Sequence, residues 1–310
     1  MNDQEPPRQP RSMQGLLKFA MEGKQECVFI VQQFHNFVSA TKDEDPTKPS
    51  QFQEMSEEDR KFLEAALKSM TIDVVEELNK AMNVLITGNA SEEDQVSALE
   101  AVTSYVADVD SANDFFKIGG FCIIIPCLNS KYSEVRSETA LLIGELAQNN
   151  EFCQKNLLEL NILPKLLDMM SNDETVVSSH AFHAVSCLTR SYEPGMKDFI
   201  SMGGLECLIH LTQSKDSEKL VIKSMFLISA FAQESEMVRE ELVKLNAIEK
   251  IVATIDPLSE YSTRLEQTLA ALVSLTESSE AVKRCQNKNV NLQEKLNLIV
   301  SLCKGKDECQ

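Results

Sequence analysis

The chain has 310 residues, 43% of them hydrophobic, which is enough for one elongated domain or two average domains with a continuous core. Its 48 acidic and 30 basic residues give a formal net charge of -18, which argues against binding to nucleic acids or anionic membranes. The nine cysteines include no Cys-x-x-Cys pair, so neither a disulfide framework nor a zinc-ligand set is indicated, and no apolar stretch approaches the ~20 residues of a membrane span. We predict a monomeric protein of the cytoplasm, present also in the nucleus, without a cofactor, a nucleic-acid partner or a membrane contact.

Residues 1–55 form the first region of the chain. They hold five of the nine prolines, show little sustained periodicity and begin with a polar stretch unlike a secretory signal. This composition predicts a flexible N-terminal segment with two short apolar docking motifs. One motif has helical spacing and consists of Met13, Leu16, Leu17, Ala20 and Met21. The other motif, residues 28–38, carries Phe29, Phe34 and Phe37.

Helix start signals mark the beginning of ordered structure. Ser56 and Ser91 each precede the run Glu-Glu-Asp, in which the serine can cap free backbone N–H groups and the acids favour the positive end of the helix dipole. The apolar face between these two signals ends at Gly88 and consists of Ile72, Val75, Leu78, Met82 and Leu85. The pattern predicts N-terminal capping helices over residues 56–96.

The segments that follow repeat one pattern. Their matching apolar positions are Val106, Leu146, Leu188, Phe231 and Leu275, separated by 40, 42, 43 and 44 residues. This spacing is typical of armadillo or HEAT repeats and is too long for tetratricopeptide or ankyrin units. Two residues before each position stand Ser104, Gly144, Ser186, Ser229 and Val273. Four of these five are small, as expected where the two helices of one unit cross closely.

A second series keeps the same phase. Its members are Phe121, Leu163, Leu205 and Ile248, separated by 42, 42 and 43 residues. Each unit then has a buried helix, a turn marked by Gly or Asn, and a second long amphipathic helix, which favours armadillo repeats. We predict an all-α, right-handed superhelical solenoid, with four armadillo-like repeats and the start of a fifth over residues 97–276 and C-terminal capping helices over residues 277–310. Stacked repeats of this kind form a curved groove.

Candidate chemical sites are few. His180 lies close in sequence to His183 and Cys187, which share a helix face, but no further ligands stand at metal spacing, so we interpret all three as packing and surface groups. The glycine pairs at residues 119–120 and 203–204 mark turns between helices, and neither a Walker loop nor a Gly-x-Ser-x-Gly elbow is present. We therefore predict that the protein is not an enzyme.

Several strings, in a common order on this repeat frame, resemble one protein family. The strings are Met13-Gln14-Gly15-Leu16-Leu17-Lys18, Met55-Ser56-Glu57-Glu58-Asp59-Arg60, Asp110-Ser111-Ala112-Asn113-Asp114-Phe115, Leu142-Ile143-Gly144 with Gln148-Asn149, Ser186-Cys187-Leu188-Thr189-Arg190, Lys223-Ser224 with Phe226-Leu227, and Val282-Lys283-Arg284-Cys285. The family is that of the armadillo-type nucleotide exchange factors of the 70-kDa heat-shock chaperone, in its cytosolic branch. The resemblance covers residues 13–24 and about 55–300.

This resemblance implies a co-chaperone function without catalysis. Family members wrap the concave armadillo face round one lobe of the chaperone's nucleotide-binding domain and force its cleft open, so that ADP leaves. Their N-terminal segment contacts the chaperone's peptide-binding domain and aids client release, which would give a role to Leu16, Leu17 and Phe19. The chaperone-binding groove residues that we carry over are Arg190, Lys223, Asn149, Asp110 and Arg136.

Simpler interpretations of these residues stay open. Arg190 ends the predicted helix Ala181–Thr189, so its charge could serve only to stabilise the helix dipole, by about 0.3–1 kcal/mol. The apolar residues near Leu16 could be a chance amphipathic turn. The chain also departs from the family pattern in its apolar insertion, residues 28–38, and in ending at Gln310, which would leave the last repeat less well capped.

Other functions remain as alternatives. The main one is an armadillo adaptor or scaffold that binds a peptide or protein partner without exchange activity. Importin-like and catenin-like grooves use Trp-Asn ladders or basic rows, whereas this chain is acidic and has no tryptophan. The endoplasmic-reticulum branch of the exchange-factor family is opposed by the polar N-terminus and by the final residues Lys306-Asp307-Glu308-Cys309-Gln310. An enzyme is opposed by the lack of any catalytic constellation.

Overall fold

The structure, a computed structural model, describes Glu57, Lys61 and residues 73–87, 89–215, 217–256 and 262–304. The chain divides into two units, Met1–Asp73 and Val74–Gln310, and the second contains nearly all of the described residues. The N-terminal segment predicted over residues 1–55 lies outside the described residues, together with its two docking motifs and with Leu16, Leu17 and Phe19. Of the capping helices predicted over residues 56–96, the part before residue 73 also lies outside them, apart from Glu57 and Lys61.

The second unit is built from helices stacked in repeats. In the described part of the chain the regular structure consists of sixteen α-helices and two short 3-10 helices, without strands. Two helices precede the repeats, α1 (Val74–Ile86) and α2 (Glu92–Tyr105). The first repeat consists of α3 (Val109–Lys117), a 3-10 helix (Gly120–Ile123) that continues into α4 (Ile124–Leu128), and α5 (Ser133–Ala147). The second repeat consists of α6 (Glu151–Glu159), α7 (Leu163–Asn172) and α8 (Thr175–Thr189).

The remaining repeats follow the same order. The third consists of α9 (Glu193–Ser201), α10 (Gly204–Leu211) and α11 (Glu218–Glu234). The fourth consists of α12 (Glu236–Lys244), α13 (Ala247–Ala253) and α14 (Thr263–Leu275). The start of a fifth consists of α15 (Ser279–Cys285), a 3-10 helix (Lys288–Val290) and α16 (Leu292–Cys303). A short first helix, a second helix and a long third helix make up each complete repeat, so the predicted all-α armadillo-type solenoid is confirmed.

Both periodic series of the sequence belong to the core. The members of the first series that follow Val106 are buried near the C-terminal ends of the long helices, and Val106 itself is buried at the end of α2. The members of the second series are buried at or near the starts of the second helices. One apolar position of each series per repeat therefore adds to a single core that runs from α1 to α15.

The turns between first and second helices require a left-handed backbone. Gly119 and Gly203 have φ angles of +85° and +79°, which glycine adopts without steric cost. Asn161 and Asn246 take the same role in the second and fourth repeats, with φ angles of +53° and +61°. The predicted turns marked by Gly or Asn are therefore confirmed.

Small residues let long helices approach closely, although between neighbouring repeats rather than within one unit. Any side chain at Gly144 of α5 would collide with the ring of His183 in α8. Ser229 of α11 is buried, and its hydroxyl lies 2.8 Å from the hydroxyl of Ser274 in α14. Ser104, by contrast, is exposed, so the small side chain is not needed there for a helix crossing.

The helix that starts after Ser91 begins as predicted. The Ser91 hydroxyl accepts the backbone N–H of Asp94 at 3.2 Å and caps α2. In the preceding α1, Leu78, Met82 and Leu85 are buried as predicted, whereas Val75, on the same face but in the first turn of the helix, is 43% exposed.

Among the described residues no single helix is long and apolar enough to cross a membrane. The pair Val109–Lys117 and Gly120–Leu128 reaches that length and composition only when taken together, across a 77° bend.

Candidate partner-binding face

The long helices of successive repeats pack on one another, except where a gap separates α8 from α11. α2 packs on α5, α5 on α8, and α11 on α14. The side chains that this packing leaves uncovered recur every three or four residues, as expected for one face of each helix. We call this surface the long-helix face. It includes Glu100 of α2, Glu134, Glu138 and Glu145 of α5, His180 and His183 of α8, Lys219, Lys223 and Phe226 of α11, and Thr263 and Gln267 of α14.

The N-terminal part of the long-helix face is acidic. Burial, followed by the nearby charges of Glu100 and Glu134, raises the pKa of Glu138, while the charge of His180 has the opposite effect. The three glutamates belong to α2 and α5, so they form one acidic region across two neighbouring helices, and His180 of α8 lies beside it. This region would attract cationic groups of a partner and repel anionic ones.

Two histidines occupy the middle of the face. Nδ1 of His180 lies 2.9 Å from the Ser137 hydroxyl and 3.2 Å from the Ser137 carbonyl oxygen, which ties α8 to α5. Nε2 of His183 lies 3.7 Å from a carboxylate oxygen of Glu145, and burial lowers the pKa of His183. The Cys187 sulfur is 3.8 Å from Nδ1 of His183, and burial raises the pKa of the Cys187 thiol to about 11. Within the described ranges no three His, Cys, Asp or Glu side chains are placed to hold a metal ion.

A pocket lies between α8, α11 and α14. Its volume is about 350 Å³, and we call it the face pocket. The backbones of α8 and α11 stay apart over most of their length, unlike those of α5 and α8, and the pocket occupies this gap. Its walls include Phe182 and His183 of α8, Lys223 and Phe226 of α11, and Gln267 of α14. Phe226 is 50% exposed, so the face pocket combines an apolar surface with a cation at its wall.

Lys223 is half-buried without a carboxylate partner among the described residues. Its Nζ donates a hydrogen bond to the Ser179 hydroxyl at 2.8 Å and lies 6.0 Å from the centre of the Phe182 ring. Burial, followed by the nearby charge of Lys219, lowers the pKa of Lys223. A neutral hydroxyl compensates a buried ammonium group only in part, so a carboxylate of a partner would improve its environment.

Arg190 lies at the C-terminal end of the same face. It caps α8, and its backbone N–H donates to the Ser186 carbonyl at 3.0 Å, while its side chain is exposed. Its guanidinium forms no ion pair with any carboxylate in the part of the chain that the structure describes. Burial, followed by the charge of Glu145, raises the pKa of the Cys187 thiol, and the charge of Arg190 opposes this rise.

Arg136 has an internal role instead. Its Nε and Nη2 donate to the Asp173 carboxylate at 2.8 Å and 2.6 Å, and its Nη1 donates to the Ser130 carbonyl at 3.0 Å. The side chains of Arg136 and Asp173 are only 16% and 14% exposed. The guanidinium is held by this pair, and the contact of Arg136 with a partner stays a prediction.

The structure does not bring Asn149 and Asp110 to the face pocket. Asn149 is exposed after the end of α5 and has a φ angle of +53°; Ser191 has +54° at the matching place after α8. Asparagine tolerates this conformation, which gives Asn149 a backbone role. Asp110 is exposed in the first turn of α3, a short first helix rather than a long one.

Sequence reasoning did not single out Phe226 as a site residue. Lys223 and Phe226 are three residues apart on α11 and therefore share one side of the helix, while Met225 and Leu227 point to the core. The sequence signal for this site was a large apolar residue, Phe226, that lies on the same side of the helix as Lys223 and not on the side of Leu227.

Two family models match the chain. A model of the SIL1/FES1/HPBP1 C-terminal domain matches residues 111–255, and a model of the nucleotide exchange factor Fes1 matches residues 13–115. The chain belongs to the SIL1/FES1/HPBP1 family. The resemblance deduced from the sequence strings is thereby confirmed. Arg190 and the face pocket fall inside the first of the two matches, apart from the α14 residues of the pocket.

Curated relatives of this family member cover between 58% and 98% of its length. It is 28% identical to Hsp70-binding protein 1 of Mus musculus, over 98% of this chain and 83% of that protein. It is 28% identical to the nucleotide exchange factor SIL1 of Xenopus laevis, over 58% of this chain and 40% of that protein. It is 25% identical to the Hsp70 nucleotide exchange factor FES1 of Candida glabrata, over 65% of this chain and 71% of that protein.

Solved structures show the same fold. A designed armadillo repeat protein matches with a TM-score of 0.60 and 16% identity, over 75% of this chain and 95% of that one. An engineered protein matches with a TM-score of 0.62 and 19% identity, over 77% and 94%. At these identities the likeness concerns the helical solenoid alone.

Proposed function

We propose that this family member is a nucleotide exchange factor for a 70-kDa heat-shock chaperone. It binds the chaperone's nucleotide-binding domain through the long-helix face and promotes the release of ADP, which aids client release. Relatives over most of the chain are named as Hsp70-binding proteins, and one shorter match as an Hsp70 nucleotide exchange factor. One observation supports the choice of this face. Lys223 is a half-buried cation that has no carboxylate partner among the described residues, and the exposed Phe226 lies beside it.

Exchange by such a protein requires no catalytic group. If the chaperone domain has an open and a closed form, a partner that binds the open, ADP-free form more tightly weakens ADP binding by the same factor. Couplings of this kind amount to about 1–3 kcal/mol. The free energy comes from contacts that exist only with the open form, so we propose that the protein is not an enzyme.

The face offers three kinds of contact to an open chaperone domain. Lys223 can donate a charge-assisted hydrogen bond to a carboxylate of the chaperone. Such a bond is stronger than its present bond to the Ser179 hydroxyl. Phe226 and the face pocket can cover an apolar side chain. Arg190 supplies a second, exposed cation, and its truncation would cost about 2–5 kcal/mol of binding where it pairs with a carboxylate and both groups lose water. Asn149 and Asp110 are at most peripheral contacts.

The remaining assignments follow the family resemblance. The N-terminal segment, with Leu16, Leu17 and Phe19, contacts the peptide-binding domain of the chaperone. The protein acts as a monomer in the cytoplasm and also in the nucleus. The described cysteines, among them the exposed Cys122, are free thiols, which supports a reducing compartment.

Stopped-flow release of fluorescent ADP from the chaperone tests the proposal. The wild-type protein should accelerate release, and Arg190→Ala should lower chaperone affinity at least about tenfold, with a smaller loss for Lys223→Ala. Lys244→Ala serves as the control, because Lys244 is exposed on the short helix α12 and pairs with Glu241 at 3.0 Å. Binding without faster release would favour the adaptor alternative, and equal effects of Arg190→Ala and Lys244→Ala would remove the long-helix face from the proposal.

A further inference from the structure

A second pocket lies at the edge of the solenoid. It is formed where α8 and α11 end and where α9 and α12 begin, and its volume is about 550 Å³, within the range of ligand sites. We call it the edge pocket. Its lining residues do not include Lys223 or Phe226, so it is separate from the face pocket.

Three apolar side chains form one part of the edge pocket's wall. Phe231 is fully buried and forms part of the wall, and Met196 is partly buried beside it. Met237, on α12, is 58% exposed. Any side chain at Gly195 would collide with the Leu188 carbonyl, so the start of α9 is held tightly against the end of α8. Methionine side chains can adjust to apolar groups of different shape, so this wall suits an aliphatic side chain.

The rim of the edge pocket is acidic. Glu193 and Glu234 line it, and a carboxylate oxygen of Glu193 forms an ion pair with Nζ of Lys197 at 2.7 Å. Glu234 forms no ion pair with a residue in the described ranges. Tyr192, also in the lining, has a pKa raised by burial and then by the charges of three further carboxylates, those of Glu151, Asp198 and Glu159. The pocket therefore lies in a negative field that Lys197 offsets only in part.

We propose that the edge pocket binds a segment of another protein in which one aliphatic side chain is flanked by arginine or lysine. The aliphatic group would enter between Met196, Met237 and Phe231, and the flanking cations would lie on the carboxylates of the rim. Apolar burial supplies affinity, and the complementary charges supply selectivity. The inference does not rest on the proposed exchange function, and its test contains no chaperone.

Three labelled nonapeptides form the probe set. The first has a central leucine flanked by two arginines on each side, the second has glutamates in place of the arginines, and the third keeps the arginines but has serine in place of the leucine. Each is titrated by fluorescence anisotropy into the full-length protein. The first peptide should bind, the second should not, and the third should bind about tenfold more weakly, because the leucine no longer buries its surface. Equal binding of the first and third peptides would reduce the effect to general attraction by an acidic protein and overturn the proposal.

Methyl NMR locates the bound peptide. In protein labelled at the methionine methyl groups, the first peptide should shift the signals of Met196 and Met237, and leave that of the core residue Met225 unchanged. Shifts at other methionines alone, or no binding, would overturn the proposal. Shifts of Met196 and Met237 with protein concentration, in the absence of peptide, would assign the pocket to a second copy of the chain and also overturn it.

A matched pair of variants tests the rim. Glu234→Lys reverses a charge at the pocket, and lysine is compatible with the last residue of α11 because cations favour helix C-termini. Glu240→Lys makes the same change on α12 at an exposed position outside the lining. Glu234→Lys should weaken the first peptide about three- to tenfold, whereas Glu240→Lys should change its affinity less than twofold. Equal weakening by both variants would overturn the proposal.

Discussion

Truncation of Arg136 should destabilise the solenoid rather than impair partner binding alone. The guanidinium donates two bonds to Asp173 and one to the Ser130 carbonyl. Loss of one partner from a fully buried ion pair costs about 3–5 kcal/mol, and each hydrogen bond to a charged group contributes about 1.5–3 kcal/mol. Because both side chains retain some exposure, 16% and 14%, we expect Arg136→Ala to lower the free energy of unfolding by about 2–3 kcal/mol.

Urea unfolding, followed by circular dichroism near neutral pH, measures this loss. Lys117→Ala is the control, because the Lys117–Asp114 pair has a similar distance of 2.8 Å but both side chains are more than half exposed. Exposed pairs contribute about 0–1 kcal/mol. If Arg136→Ala and Lys117→Ala lower the free energy of unfolding equally, the structural role that we assign to Arg136 is refuted.

Arg136→Ala should also change the pH dependence of stability. The Arg136 side chain is the main reason why the pKa of Asp173 lies below its ordinary value of 3.8. A carboxyl group whose pKa is lowered by folding stabilises the protein above its ordinary pKa and loses this contribution as the pH falls through the folded-state pKa. Acidification below pH 3.8 should therefore cost the wild-type protein more unfolding free energy than Arg136→Ala. Parallel curves for the two proteins would contradict the assignment.

Three further predictions concern single residues. Gly144→Val should lower the free energy of unfolding by about 1–3 kcal/mol, because the new side chain meets the His183 ring; unchanged thermal unfolding would contradict the close packing of α5 and α8. Gly203→Ala should cost about 1 kcal/mol in urea unfolding, because alanine is strained at a φ angle of +79°, and a stabilised variant would speak against that turn. The Cys187 thiol, whose pKa is raised to about 11, should react with a thiol reagent near neutral pH more slowly than the exposed Cys122, as mass spectrometry of the labelled peptides would show; the reverse order would contradict the burial of Cys187.

The repeat architecture could be predicted because its signals are local. Leu146 and Leu188 recur with the period of the repeat, and both are fully buried on equivalent long helices. The turn before each second helix carries a residue that tolerates a positive φ angle, such as Gly203 or Asn246. Helix periodicity and turn chemistry each depend on a few neighbouring residues, so the sequence displays them directly.

The candidate site was less accessible to sequence reasoning because its contacts join distant residues. Arg136 bonds a carboxylate 37 positions away, and Lys223 bonds a hydroxyl 44 positions away. From the sequence alone, neither separation shows whether the basic side chain bonds within the chain or contacts a partner. The gap between α8 and α11, which creates the face pocket, depends on how two repeats pack and has no local signal.

The most direct test of the central claim is the affinity for the chaperone's nucleotide-binding domain, measured by calorimetry with and without saturating ADP. Because binding linkage is reciprocal, an exchange factor must bind the ADP-loaded domain more weakly, by the same factor by which it weakens ADP binding. We expect a factor of roughly 5 to 150. Equal affinities in the two conditions would contradict the account and would leave a protein that binds the chaperone without promoting ADP release.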